Sequence, residues 1–273
     1  MIPLRDANPT RRFAWVTLLF IAANVAAFLF WQPTFGTPEQ QQLFYFCNAE
    51  IPWEVTNQDN LADGGAEARR ALEETYDVSA TDARSVQQEL ERTCGDKSWW
   101  MSVFVAMFLH GGWLHIGGNM LYLWIFGNNV EDRLGFVGYV IFYLLGGLAA
   151  AGLQFVFDPA SAVPNLGASG AIAAILGAYA VMFPRARVYT LVIFFFITAV
   201  ELPAVFVLGA WFVLQLFSGT VGEFGEEVGG GVAYWAHVGG FVFGMVAAWL
   251  FFRERRRPPM SYAGPPRPDY PFG

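Results

Sequence analysis

Six stretches of the chain are apolar for roughly the length that crosses a lipid bilayer, and no other feature limits its fold so strongly. A hydrocarbon core about 30 Å thick takes about 20 helical residues. Inside it every backbone N–H and C=O must find a partner within the protein, a demand that apolar runs meet as helices. The stretches are about 13–31, 113–127, 136–157, 168–183, 203–217 and 232–252. Charged residues make up only 14% of the chain, against about 25% in a soluble domain, too few to cover a water-facing surface. The 27 Phe and 10 Trp suit lipid-facing and interfacial positions. The expected fold class is an all-α polytopic membrane protein, a bundle of six transmembrane helices.

The first run follows Arg5, Arg11 and Arg12. It is long for the apolar part of a signal peptide and lacks a small-residue cleavage site, so it reads as a retained span. Residues 32–98 are polar and mostly acidic, an exposed insertion in which 66–74 and 83–92 look like short solvated helices. Its Cys47 and Cys94 have no metal-ligand spacing. A disulfide in an oxidising compartment and two unrelated thiols are equally open. His110, Gly111 and Gly112 interrupt the next apolar run, which makes 99–112 an interfacial loop. Gly146, Gly147 and Gly152 allow close helix approach in the third span. The fourth is short, as if its helix began below the membrane surface, where irregular backbone survives only inside protein or beside a wet cavity. Glu201-Leu202-Pro203 divides the run 188–217. Pro203 fits a first helical turn, leaving 188–200 as an apolar connection.

The charges orient this arrangement. With six spans, Arg5, Arg11, Arg12, Arg185, Arg187, Arg253, Arg255, Arg256 and Arg257 fall on one side. The insertion and the loop holding Glu223, Glu226 and Glu227 fall on the other. Basic loops stay in the cytoplasm, so residues 1–12 are expected to be a cytoplasmic N-terminus and the insertion extracytoplasmic. The membrane domain then covers 13–257, and the Pro-rich 258–273 reads as a disordered cytoplasmic tail. No Ser- and Arg-rich transit segment precedes the first span, which points to a bacterial plasma (inner) membrane rather than a mitochondrion.

All three histidines lie in or beside these spans, where an ionisable side chain is costly and marks a candidate functional site. His115 and Asn119, four residues apart, share a helix face; they can form an interhelical hydrogen-bond pair or donate to an oxyanion. Gly167-Ala168-Ser169-Gly170 places a serine at a helix start, where backbone N–H groups are unpaired. The same small residues would suit a tight helix crossing. His237 precedes Gly240 and Gly244, a spacing for close helix contact. If that face meets the fourth span, His237 can take the proton that a serine must lose to become a nucleophile. No carboxylate lies in a span at that depth, so the pair would be a dyad.

His115…Asn119 on the second span, Gly167-Ala168-Ser169-Gly170 opening the fourth and Ala236-His237 with Gly240 and Gly244 on the sixth together resemble the rhomboid intramembrane serine proteases. Glu131-Asp132-Arg133-Leu134-Gly135 adds to the resemblance, which extends over about 99–252. It implies a Ser169 nucleophile, His237 as general base, and an oxyanion hole from the Ser169 N–H, His115 and Asn119. His110 would support the loop, and Gly167, Gly170, Gly240 and Gly244 the packing. It also implies single-span membrane proteins as substrates, cut near the outer membrane surface through an acyl-enzyme. Two departures stand out. Met101-Ser102 replace a Trp-Arg pair of many relatives. Ala173 stands where relatives often place an aromatic against the catalytic histidine, leaving Tyr234 or Trp235 to orient His237.

There is no HExxH pair for a metalloprotease and no basic, aromatic stripe for nucleic acid. The expectation is an endopeptidase without metal or other cofactor, embedded in a lipid bilayer. The alternative from a different class is an inactive rhomboid-like protein that binds spans in quality control.

Overall fold

Every residue from Gly170 to Tyr179 of helix α9 (Ser169–Met182) is buried, so this helix is apolar on all sides and runs through the middle of the molecule. Its neighbours can surround it because they are lined with glycine and alanine. Gly240 and Gly244 of α11 (Tyr234–Ala247, continuing to Phe252) lie against the backbone carbonyls of Gly170 and Ala174. Gly177 lies against the carbonyl of Phe241, and Gly170 against the methyl of Ala150 on α8 (Asn128–Phe157). A Cβ at any of these glycines would occupy a neighbour's space, so close packing here depends on their lacking one. These helices belong to a computed structural model that describes residues 1–95, 97–193, 197–221 and 233–252. The expected tail, Arg253, Arg255, Arg256, Arg257 and the loop with Glu223, Glu226 and Glu227 lie outside those residues.

Two described helices are long and apolar enough to cross a membrane, Trp113–Phe157 and Tyr234–Phe251. The first combines α7 (Trp113–Tyr122, continuing to Gly127) with α8, and breaks at Gly135, whose φ of 73° favours glycine. Shorter apolar helices are α1 (Trp15–Ala26, continuing to Trp31), α9 and α10 (Ala204–Val221). Their outward residues form an apolar surface: Phe30, Leu114, Val137, Val156 and Phe206 are each at least 67% exposed. Such a surface is an aggregation hazard in water and ordinary in lipid. Glu131 fixes the start of α1, its carboxylate accepting from the Val16 and Thr17 N–H groups and the Thr17 hydroxyl at 2.8–3.0 Å. That explains part of the Glu131–Gly135 motif as a helix cap.

The all-α expectation needs correction. Residues 188–200 are not a featureless connection. β2 (Arg187–Ile193) and β3 (Ile197–Pro203) pair antiparallel, with Val188 opposite Leu202 and Thr190 opposite Val200. β1 (Ile2–Asp6), from the expected N-terminal tail, pairs with the other edge of β2. Val188, Tyr189, Thr190, Val192 and Ile193 are strand formers, and pairing β2 on both sides satisfies its backbone. Pro203 ends β3, and the helix begins one residue later. Tyr179 donates to the Asp6 carboxylate at 2.7 Å, which ties this sheet to α9.

The insertion is more ordered than a set of solvated helices. It contains α2 (Pro38–Asn48), α3 (Pro52–Asn57), α4 (Gly65–Tyr76) and α5 (Ala80–Cys94), so two helices went unexpected and two are longer than their periodicity suggested. Ile51, Trp53, Leu61, Ala68, Leu72, Ala83 and Leu90 bury their side chains in a core of their own. Cys47 and Cys94 form a disulfide between α2 and α5. Lys97 pairs with Glu54 at 2.6 Å and donates to the Phe46 carbonyl. The expected interfacial loop 99–112 contains a short helix, α6 (Trp99–Ala106).

Candidate active site

Ser169 is the first residue of α9, so its N–H and the next ones have no partner within the helix. Gly167 ahead of it has φ +130° and faces the His115 ring, so a Cβ there would meet Nε2 at 2.9 Å. Both constraints select glycine. The segment before Ser169 hangs on neighbours: Gly167 N–H donates to the Ala106 carbonyl at 2.8 Å and Asn165 N–H to the Glu50 carbonyl at 2.7 Å. The insertion thus forms part of the nucleophile loop's support.

His237 arrives on the first turn of α11. The Ala236 N–H before it donates to Gln154 Oε1 of α8 at 3.3 Å, which caps an otherwise unpaired helix start. The small residues at 170, 240 and 244 let α11 lie directly on α9. Ser169 Oγ is then 2.7 Å from His237 Nε2. The other ring nitrogen, Nδ1, is 2.7 Å from Gln215 Oε1 on α10. That amide oxygen only accepts, so Nδ1 carries the proton and Nε2 is free to accept from the serine. Trp211, one turn before Gln215, lies against the same ring with centroids 5.6 Å apart. Tyr234 and Trp235, expected to orient this ring, face elsewhere: Trp235 stacks on Phe157 and both pack beside Gly219.

His115 and Asn119 lie four residues apart on α7, and the His115 ring stands beside Gly167, next to Ser169. His115 Nδ1 accepts from the Gly111 N–H at 3.3 Å, so in the neutral ring Nε2 bears the hydrogen, on the side of Gly167. The buried Asn119 Nδ2 has no hydrogen-bond partner among the described residues. The His115 ring therefore stands beside the helix start, and the Asn119 amide is a second uncommitted donor on the same helix. His110 is fully buried, its ring edge-on to His115 at 5.1 Å. Its backbone is clamped: the carbonyl accepts from Gln32 Nε2 at 2.8 Å and the Tyr45 hydroxyl at 3.1 Å, and its N–H donates to Gln32 Oε1 at 3.0 Å. Gln32 and Tyr45 thus anchor this loop, in a chain where Met101-Ser102 replace the usual pair.

A small cavity of roughly 40 Å³ beside Ser169 is lined by Gly147, Ala150, Asn165, Ala236 and Glu50. Burial pushes the Glu50 carboxyl up to about 8, with Lys97 pulling partly back. Sequence reasoning missed Gln32, Tyr45, Glu50, Gln154, Trp211 and Gln215. None sits in a motif, and each acts on a residue far away in the chain.

Comparison with known proteins adds lineage to this geometry. The chain is 30% identical over 164 residues to the mitochondrial Rhomboid protein 1 of Saccharomyces cerevisiae, covering 58% of this chain and 44% of that protein. It is 24% identical over 240 residues to RHOMBOID-like protein 4 of Arabidopsis thaliana, covering 87% and 52%. It is 39% identical over 79 residues to the Rhomboid protease GluP of Bacillus subtilis, covering 29% and 15%. The chain spans about half or less of the length of these curated relatives. Residues 96–254 match the Rhomboid domain, more than half of the chain, which therefore belongs to the rhomboid family of integral membrane proteins.

Proposed function

We propose that the chain is an intramembrane serine endopeptidase that hydrolyses peptide bonds in or near transmembrane segments of single-span membrane proteins. The 2.7 Å contact between Ser169 Oγ and His237 Nε2 carries this reading. His237 takes the serine proton as Oγ attacks the scissile carbonyl. The developing oxyanion is met by the Ser169 N–H, the His115 Nε2–H and the Asn119 amide. His237 returns the proton to the leaving amine, and water hydrolyses the acyl-enzyme through the same base. Gly167 and Gly170 leave room for the substrate backbone. The name of the Bacillus subtilis relative, a rhomboid protease, supports the same reading.

In this proposal the six apolar helices each span the bilayer, with both termini in the cytoplasm and the disulfide-bonded insertion outside a plasma membrane. Arg5, Arg11, Arg12, Arg185 and Arg187 on one face and the acidic insertion on the other favour that orientation. A fluorophosphonate probe on the purified protein in detergent tests the chemistry. Wild type labels, and Ser169→Ala and His237→Ala lower labelling and cleavage of a transmembrane substrate by at least about 10³-fold. Folded wild type that neither labels nor cleaves would instead identify an inactive family member that binds spans.

A further inference from the structure

We propose that Gln215 is a positioning residue that fixes the working tautomer of His237 and makes the base depend on the position of α10. This rests on the protease reading above. A neutral imidazole has a single ring proton, and its useful form here leaves Nε2 bare towards Ser169. The partner of Nδ1 decides which form prevails. In a three-membered set that partner is a buried carboxylate; here it is a neutral amide oxygen at 2.7 Å. Gln215 therefore orients the ring and offers a dipole, not a full charge, to the imidazolium that forms when the serine attacks.

The same helix supplies the ring's second restraint. Trp211 and Gln215 are four residues apart, so they share one face of α10, and both meet His237. Across the site, position 173 of α9 is a buried alanine, which offers no ring of its own. Among the described residues, the titratable groups near His237 are Ser169 on α9 and His115 on α7, with Glu50 lining the cavity shared by Ser169 and Ala236, and α8 presents the neutral Gln154 to the Ala236 N–H. Helix α10 is held by one side: Val207 and Leu208 are buried, while Phe206, Val213, Leu214 and Phe217 are at least 60% exposed. Helices α9 and α11, by contrast, meet backbone to backbone. An outward displacement of α10 would remove the Nδ1 acceptor and Trp211 while leaving Ser169 and His237 on their own helices.

The test compares Gln215→Leu and Gln215→Glu with wild type, using kcat and KM on a transmembrane substrate, pH profiles and the ¹⁵N resonances of the His237 ring. Gln215→Leu is expected to lower kcat about 10²-fold or more with KM within about threefold, as for loss of a base's orienting group. Its ring nitrogens should show mixed protonation in place of Nδ1–H. Gln215→Glu restores the acceptor, so kcat recovers, and the acid limb of kcat/KM moves to higher pH because a carboxylate favours imidazolium. Wild-type kcat and an unchanged Nδ1–H signal in Gln215→Leu would overturn the proposal. So would a folded Gln215→Glu as slow as Gln215→Leu, which would reduce the contact to packing. The resonances report the tautomer whether or not the wild type cleaves substrate, so failure of the protease reading is told apart from failure of this role.

Discussion

The α8–α9–α11 bundle and the insertion formed by α2–α5 are both helical, yet different forces hold them. In the bundle, helices touch through Gly170, Gly177, Gly240 and Gly244, where backbone meets backbone. Lipid tails are as apolar as the side chains, so burial alone gives little drive and close packing must supply it. In the insertion, apolar side chains leave water for a core of Ile51, Trp53, Leu61 and Leu72. That core is small, and a small core needs a staple; the Cys47–Cys94 disulfide and the Lys97–Glu54 pair provide it. The bundle therefore tolerates almost no added volume where its glycines touch, and the insertion should depend on its cross-links.

The largest effect follows from the bundle. At Gly244 an added Cβ would collide with the backbone of Ala174, which cannot move aside as a side chain can. Gly244→Ala should cost at least about 3 kcal/mol, the upper range for overpacking, and abolish labelling by the fluorophosphonate probe. At Gly117, where an added Cβ would meet nothing within 4 Å, alanine should change stability by less than about 1 kcal/mol. Thermal unfolding in detergent measures both. Equal tolerance at the two positions would break the contrast.

Next comes the staple. The disulfide joins cysteines 47 residues apart in sequence, and a loop of that length is worth about 4 kcal/mol in the chain-entropy account. Replacing both cysteines with serine should raise amide hydrogen exchange in α4 and α5 while α9 keeps its protection. Loss of protection in both regions at once would mean that the insertion and the bundle unfold as one unit. Because the Glu50 carbonyl holds the Asn165 N–H near Ser169, activity should fall together with the insertion's protection.

These two regions were not equally legible in sequence. The apolar runs gave each bundle helix, and the fourth run, read as 168–183, contains α9 (Ser169–Met182), because a helix buried on all sides or facing lipid must be apolar along its length. The insertion's acidic surface gave α4 and α5, but its core is sparse and α2 and α3 have no long apolar stripe. The hairpin β2–β3 was hidden because its strands are apolar enough to pass for a connection, although the β-branched residues at 188, 190, 192 and 193 carried the signal. In the candidate site, Ser169 and His237, which meet at 2.7 Å, and His115 beside Gly167 were readable because each stands in a motif of restricted residue type and spacing. Gln32, Gln154 and Gln215 were not. Glutamine is common and unremarked in sequence, and its partners here lie 78, 82 and 22 residues away.

The smallest effect, taken per pH unit, separates the two regions by pH. Glu50 is held at about 8 by burial, and Glu54 is raised by the same cause, although Lys97 opposes both shifts. A carboxyl whose folded value exceeds its unfolded 4.5 favours the protonated fold. Its stabilising share is complete below 4.5 and is lost as pH rises through 8. Burial lowers Lys97, so ionisation of that amine acts in the opposite sense towards higher pH and leaves 5–8 as the informative window. Across it the insertion should weaken by about 1 kcal/mol per pH unit, read as faster exchange in α4 and α5. Gln at position 50 cannot ionise, so Glu50→Gln should flatten the slope and leave the insertion firmer at pH 8 than wild type. The α9–α11 contact contains no carboxylate and meets Glu50 only at the cavity beside Ser169 and Ala236, so exchange in the interior of α9 should follow this slope less steeply than α4 and α5. A wild type and a Glu50→Gln variant with the same pH dependence would remove Glu50 from the account and place the insertion's stability in the disulfide and the apolar core alone.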